Sequence, residues 1–506
     1  MTLRLLRDLV RYAPGQFAPI LIATLSVAVF TRIASPAAYG SFVLVTALST
    51  TISSPFGQWL MQGMLRFYPG ADREGHAAQL EYSLSILSLG FAAVVTVIVV
   101  VASSIGLAGD DLNGWDVAAA GVMTFFGVAS GAPLAAMMAR FESTRYSVIN
   151  VATSVLKLAL PLVLFPVLGP TAALLWGSAA AAILVWVALT WGQLRGARLE
   201  PVSLARVRQT SRDAVEFGMP LGVSQIGIQA LAYSDRFFIS LLLGAAAVGL
   251  YSTNYSIAEK LLILVQAPLI YAAHPQIVSS WEQQHRTVTE RMIRNATRWL
   301  LILGVPLVAL TIVRSELISA ILLGDAFVPG HDVIPIISVS ILIYAASQYG
   351  HKSFELSKDT WVIAVTLLSA ALANTLAVIV LTLQFGYIGG AYATVLGYAA
   401  YAWVTYVVSR HRGPFRWEIP WRSGLHTLLA GGAAGLIWAA LMPNRLTSVV
   451  SALEICLSGA LGLALYAAVL MLAGELPRNV RPSFLTSQVL ALLRPNRDAE
   501  KLTEGS

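Results

Sequence analysis

FGMPLGVSQIGIQALAYSDRFFISLLLGAAAVGLYSTNYSIAEK, running from Phe217 to Lys260, is the stretch whose reading decides the fold. It reads as an apolar helix, a short glycine-hinged turn and a second apolar helix, each about 25 residues long and so of membrane-crossing length. Ionisable residues lie inside both helices: Asp235 and Arg236 in the first, Glu259 and Lys260 in the second. A charge at that depth costs about 2.5–3.5 kcal/mol on insertion scales, so each is expected to face a partner or a watery cavity. The rest of the chain is expected to wall that cavity.

Composition points the same way. The 506 residues are 57% hydrophobic and 12% charged, with a mean hydropathy of +0.72. That profile belongs to polytopic helical membrane proteins. The formal charge of +7 calls for no nucleic acid, because the basic residues gather in one set of loops. Cys456 is the single cysteine, so neither a disulfide framework nor a thiolate metal site is expected. No GxxxxGK[ST] loop occurs, which argues against an ATPase. The start, MTLRLLRDLVRYAPG, lacks a small-residue cleavage site and reads as a basic lead-in to the first span, not as a cleaved signal peptide.

Hydropathy over a window of about 19 residues gives about fourteen spans. The first six are 15–33, 40–64, 80–107, 115–139, 146–168 and 171–194, and the next six are 217–243, 248–273, 299–323, 333–350, 361–385 and 388–409. A final pair covers 423–442 and 446–473. Arginines crowd the even loops and both ends, for example Arg140 and Arg145, Arg195 to Arg212, and Arg410 to Arg422. The odd loops carry little base, and 109–116 is acidic. The positive-inside rule then places both termini in the cytoplasm. Pro55, Gly131 with Pro133, Pro161, Pro220 and Pro268 fall inside spans, where membrane helices tolerate them as kinks.

The chain also matches itself. IASPAAYGSF (33–42) is similar to LLGAAAVGLY (242–251), FESTR (141–145) to FELSK (354–358), and LGPTAALLWGSAAA (168–181) to FGYIGGAYATVLGY (385–398). Ordered matches imply two homologous six-helix halves. An even number of spans per half makes the repeat parallel, about an axis along the membrane normal, with a cleft between lobes. The expected fold is all-α and polytopic, with an N-lobe at 1–194, a basic linker at 195–216, a C-lobe at 217–412, accessory spans at 413–474 and a tail at 475–506. Its architecture is that of an alternating-access transporter.

TRIASPAAYGSF at the end of the first span, LRFYPG after the second, and the Met219–Lys260 segment together resemble the polysaccharide transport family. That family, with its Wzx-type O-antigen and exopolysaccharide flippases, belongs to the multidrug/oligosaccharidyl-lipid/polysaccharide exporter superfamily. The likeness covers about the first 410 residues. It implies a flippase that turns a polyprenyl-diphosphate-linked oligosaccharide from the cytoplasmic to the outer leaflet of a bacterial inner membrane. The implied partners are that lipid-linked oligosaccharide, membrane lipids and other polysaccharide assembly proteins, with no cofactor beyond a proton or sodium gradient. A proton- or sodium-coupled drug antiporter of the same superfamily is the alternative. An enzyme such as a polymerase or acyltransferase fits less well, because the outer loops are short and the repeat favours transport.

Such cargo needs cations for the diphosphate and hydroxyl or amide groups for the glycan. The candidate cations are Lys157, Arg236 and Lys260 within spans, and Arg32 and Arg314 at the outer mouth; an arginine can grip a diphosphate bidentately. Candidate glycan contacts are Gln225, Gln229, Tyr233, Asn254, Tyr255, Gln348 and Tyr349, and candidate coupling acids are Asp235 and Glu259. A structural reading stands beside this one. Helix neighbours point about 100° apart, so Asp235 and Arg236 are not expected to pair, nor Glu259 and Lys260. Asp235 with Lys260, or Arg236 with Glu259, would then bridge the two helices, and Arg32 or Arg314 would snorkel to the interface. Lys157 has no partner nearby in sequence and is the strongest single candidate for the cleft. Glu81 and Glu454 read as interfacial.

Overall fold

The computed structural model describes residues 2–107, 112–196, 204–411, 413, 415–446 and 448–476, with side chains described except in 2–16, 58, 192–211, 213–221, 223, 224 and 360. Most linker arginines, the Pro220 ring and the tail beyond 476 therefore lie outside the described residues. The chain is helical throughout its described length. In order come α1 (Thr2–Ile33), α2 (Pro36–Arg73), α3 (Ala77–Ser104), α4 (Gly114–Ala129), α5 (Gly131–Ala139), α6 (Ser143–Leu168) and α7 (Pro170–Gly196). Then follow α8 (Leu204–Leu243), α9 (Ala245–Glu282), α10 (Arg286–Leu322), α11 (Val333–Leu356), α12 (Thr360–Phe385), α13 (Tyr387–His411), α14 (Trp421–Leu441) and α15 (Val449–Leu472). Thirteen helices among the described residues are long and apolar enough to cross a membrane, and the apolar Phe17–Ile33 part of α1 adds one more. α4 and α5 form one such span, broken at Ser130 beside Gly131. A helix suits lipid because it satisfies its own backbone groups.

Each lobe repeats one packing plan. α1 lies on α6 as α8 lies on α12, α6 on α7 as α12 on α13, and α3 on α4 as α10 on α11. Backbone detail follows suit: Gly169 before α7 and Gly386 before α13 both take positive φ, 75° and 63°, a conformation glycine adopts without steric cost. One repeat match is out of register. FESTR set against FELSK pairs Phe141 with Phe354, yet the residue with positive φ after the helix end is Phe141 in one turn and Lys358 in the other. Phe354 lies within α11 and is buried. A five-residue likeness locates a turn but does not fix its register.

The lobes meet in a seam at the arginine-poor end. A Cβ on Gly40 would lie 1.9 Å from the Ala245 carbonyl oxygen, and one on Gly249 would lie 2.0 Å from that of Pro36. The contact is reciprocal: each repeat-related helix, α2 and α9, offers a glycine to the first turn of the other. Small residues allow such backbone approach between membrane helices, where van der Waals packing replaces the hydrophobic drive. A 3-10 turn at Asp325–Gly330, not foreseen in the sequence, extends the seam. The Gly324 N–H donates to Thr31 Oγ1 at 3.0 Å, and the Phe327 ring meets Tyr39 edge-on at 6.0 Å. The largest buried cluster, including Phe30, Leu44, Val248, Tyr251, Phe327 and Ile334, lies around these contacts. Away from the seam, α2 packs along α8 and α9, while α1 only touches α9. The lobes are zipped on one side and parted on the other.

α14 and α15 pack on each other, and α14 packs on α10. At one end, Arg298 Nε and Ser423 Oγ donate to Glu475 Oε2 at 2.7 and 2.8 Å, and His426 Nδ1 lies 2.9 Å from Oε1. Burial raises the Glu475 carboxyl, but the bonds from His426, Ser423 and Arg298 outweigh it and hold the group below its usual value. Glu81, expected at the interface, is buried and bound by both Arg140 Nε, at 2.7 Å, and Nη2.

Candidate substrate cavity

The parted side opens into a cavity of about 400 Å³. Its walls are α1 (Phe17, Ile20), α6 and α9 (Ile263, Ala267, Tyr271). α6 contributes Tyr146, Asn150, Thr153, Ser154 and Lys157. Their spacing, four, three and again three or four residues, places them on one helical face. The hydroxyls of Thr153 and Ser154 donate back to the Ile149 and Asn150 carbonyls, at 2.6 and 3.0 Å. Their lone pairs stay free to accept from a ligand. Lys157 ends this polar stripe, and among the described residues it has no ion-pair or hydrogen-bond partner. Lys260 lies on the α9 face that carries Ile263, Ala267 and Tyr271, one turn beyond Ile263. It too has no ion-pair partner among the described residues. Sequence reading found Lys157, and Lys260 lies near the cavity without lining it; the reading missed Tyr146, Asn150, Thr153 and Ser154, although their helical spacing in an apolar span was a usable signal.

A second cavity, about 210 Å³, lies inside the second lobe. Tyr233 and Arg236 of α8, Tyr255 and Glu259 of α9, Tyr344 of α11 and Tyr398 of α13 line it. Glu259 lines this cavity, whereas Lys260 is not among the residues lining either one. The Arg236 guanidinium is sandwiched by the rings of Tyr255 at 4.5 Å and Tyr233 at 4.9 Å, a cation–π arrangement. Gln225 and Gln229 share the α8 face of Ala232 and Arg236. Gln229 Oε1 is buried without a hydrogen bond. Gln348 lies one turn along α11 from Tyr344 of the cavity wall. Tyr344 and Tyr398 come from distant helices, and no local pattern announced them.

The expected cross-helix ion pairs do not form among the described residues. Arg236 Nη1 instead bonds Asp235 Oδ1 at 3.1 Å, and the Arg236 backbone N–H donates to the same oxygen at 2.8 Å. Tyr251 Oη of α9 donates to Asp235 Oδ2. The expectation that helix neighbours cannot pair fails because it concerns Cβ directions, and a long arginine side chain can fold back. Asp235 and Arg236 are 1% and 5% exposed, so the pair is a buried structural unit at the floor of the second cavity.

Three other candidates belong to the framework. Arg32 donates to the Leu322 and Ile321 carbonyls at 3.2 and 2.9 Å, closing the end of α10. Arg314, at a break in α10 (φ −133°, ψ 31°), donates to Asn444 Oδ1 at 2.6 Å and to the Trp438, Ala439 and Met442 carbonyls at 2.6–2.8 Å, capping α14. Asn254 Nδ2 donates to the Phe327 carbonyl at 3.0 Å and its oxygen accepts from Ser319, within the seam. These three side chains are taken up in fixing helix ends and turns. Tyr349 is buried in a core cluster with Leu300 and Trp417. No cluster of metal-ligating side chains occurs among the described residues.

Comparison with known proteins places this geometry in context. A family model described as "Polysaccharide biosynthesis protein" matches residues 29–332. No curated protein sequence gives a significant match. The inward closed conformation of lipid II flippase MurJ superposes with a TM-score of 0.72 at 11% identity, covering 90% of this chain and 98% of that one. An inward-facing multidrug resistance MATE family transporter of the MOP superfamily gives 0.65 at 15% identity, over 80% and 98%. A MOP superfamily transporter from Pyrococcus furiosus gives 0.56 at 14% identity, over 81% and 94%.

Proposed function

The chain belongs to the polysaccharide biosynthesis protein family, and from that premise we propose that it flips a polyprenyl-diphosphate-linked oligosaccharide across a bacterial inner membrane. The observation that carries this reading is the polar stripe of α6, ending in the unpartnered Lys157, in a cavity between two lobes. A lysine free of protein counter-charge suits an anionic cargo. The diphosphate would meet Lys157 and Lys260, and the hydroxyls and amide of α6 would meet the glycan. The gap between α1 and α9 would let the polyprenyl tail stay in lipid while the head group enters. The fold shared with a lipid II flippase supports a lipid-linked cargo.

Alternating access follows from the same parts. The lobes, 1–194 and 217–412, would rock about the seam, with 195–216 as linker and 413–474 as accessory helices. The state described here is shut at the arginine-poor end, which the positive-inside rule assigns to the outside. Glu259, which lines the second cavity and has no ion-pair partner among the described residues, is the coupling acid we favour over the locked Asp235. An ion gradient would then act through the second lobe while cargo occupies the space between lobes.

The test is the sidedness of lipid-linked oligosaccharide in cells lacking the protein. Right-side-out and inverted membrane vesicles are probed with an impermeant glycan reagent. Accumulation on the cytoplasmic face, relieved by the native chain, is expected. Unchanged sidedness would overturn the flippase reading and favour the drug antiporter.

A further inference from the structure

Outside both cavities lies a third recess, about 530 Å³, at the arginine-rich end of the second lobe. α10, α13 and the start of α14 border it, through Arg294, Tyr406, Arg410, Glu418, Trp421 and Arg422. Three guanidinium groups face one carboxylate. Arg294 bonds Glu418 at 3.0 Å with both side chains largely exposed, and Arg410 stacks on Tyr406 at 4.5 Å. A flexible exposed pair of this kind contributes little stability, which leaves the excess positive charge without a structural purpose.

The recess continues into an apolar track. α13 and α14 share few contacts, and each turns apolar side chains outward. From the recess down α14, Trp421, Leu425, Leu428 and Leu429 are all exposed, at 58–70%. Their spacing keeps them on one face. Leu396, Trp403 and Arg410 repeat every seventh residue on α13, and Leu396 and Trp403 are likewise exposed. Exposed tryptophans at a helix end mark the level of the membrane interface. A positive recess at head-group depth, leading to exposed apolar side chains at acyl-chain depth, has the polarity of one phospholipid.

We propose that this recess binds the phosphate head group of an anionic phospholipid of the arginine-rich leaflet, with an acyl chain along the exposed apolar face of α14. The lipid would lie against α14 where the appended pair packs on α10 of the second lobe. Basic recesses between membrane helices take anionic head groups by this chemistry.

Native mass spectrometry of the full-length protein tests the assignment, with cardiolipin, phosphatidylglycerol or phosphatidylcholine added to the detergent-solubilised sample. Both anionic lipids should be retained over phosphatidylcholine, and Arg410→Gln with Arg422→Gln should cut that retention by about tenfold or more. Lys358→Gln, on another basic turn, should leave it unchanged. Normal melting of the double variant shows that lost retention is not lost folding. Equal retention by native protein and double variant would overturn the site. Inorganic phosphate that competes as well as the lipids do would overturn the lipid and leave a simple anion site.

Discussion

The two ends of the lobe interface differ in kind. At the arginine-poor end, backbone meets backbone: Gly40 on Ala245 and Gly249 on Pro36, with aromatic and aliphatic side chains filling the surround. At the other end, α1, α6 and α9 surround a polar stripe and a lysine that is unpaired among the described residues. The first arrangement tolerates no added atom, whereas the second has room for a ligand. A transporter needs both, since a seam that closes tightly gives two discrete states and a cavity gives them something to carry. Between them sits the Asp235–Arg236–Tyr251 unit, one side against the seam cluster and the other against the second cavity.

Breaking that unit should have the largest effect. Asp235→Ala leaves a buried guanidinium uncompensated, which costs about 3–5 kcal/mol, and should appear as a sharp loss of folded protein in thermal unfolding. Asp235→Ala with Arg236→Met should recover most of it. Next come the seam glycines. Gly249→Val places a methyl-bearing carbon into the Pro36 carbonyl, and overpacking of this sort costs about 1–3 kcal/mol. Reagent accessibility of a cysteine placed at Val248 in a Cys456→Ser background should rise by about 5- to 140-fold, since each 1.4 kcal/mol shifts an equilibrium tenfold. Gly57→Ala, in α2 with nothing within 4 Å of its added Cβ, should do little.

Lys157→Ala should lower flipping by about tenfold without changing the melting temperature, because the lysine has no ion-pair or hydrogen-bond partner to lose among the described residues. Lys157→Arg should retain much of the activity. The smallest effect is expected from Glu475. Its carboxyl is held below the usual value in the folded protein, so its contribution is present above the unfolded pKa and is lost as pH falls through the folded one. Glu475→Gln should therefore lower stability at pH 7 by about 1 kcal/mol and flatten the acid limb of the unfolding profile below about pH 4.5.

Much of this comparison was legible in the sequence, and the remainder was not for definable reasons. Span positions were readable because apolar length is a local property, whereas Gly40 and Gly249 lie inside α2 and α9 and serve a close backbone approach that only the tertiary fold displays. Lys157 stood out as a lone cation in an apolar run. Depth in the membrane could be read for Arg32 and Arg314, but not direction, and both guanidiniums turned out to close helix ends. Asp235 and Arg236 were misread because side-chain reach was set aside in favour of helix geometry. The tyrosines of the second cavity come from four helices, and only the tertiary fold assembles them.

The central claim is that an anionic lipid-linked glycan is carried through the Lys157 cavity. Proteoliposomes containing the purified chain and a polyprenyl-diphosphate oligosaccharide, probed by an impermeant glycan reagent, test it most directly. The account predicts protein-dependent flipping of this lipid, much weaker flipping with Lys157→Ala, and none of a glycolipid without phosphate. Equal flipping by native and Lys157→Ala protein, or proton-coupled drug export with no lipid movement, would contradict it.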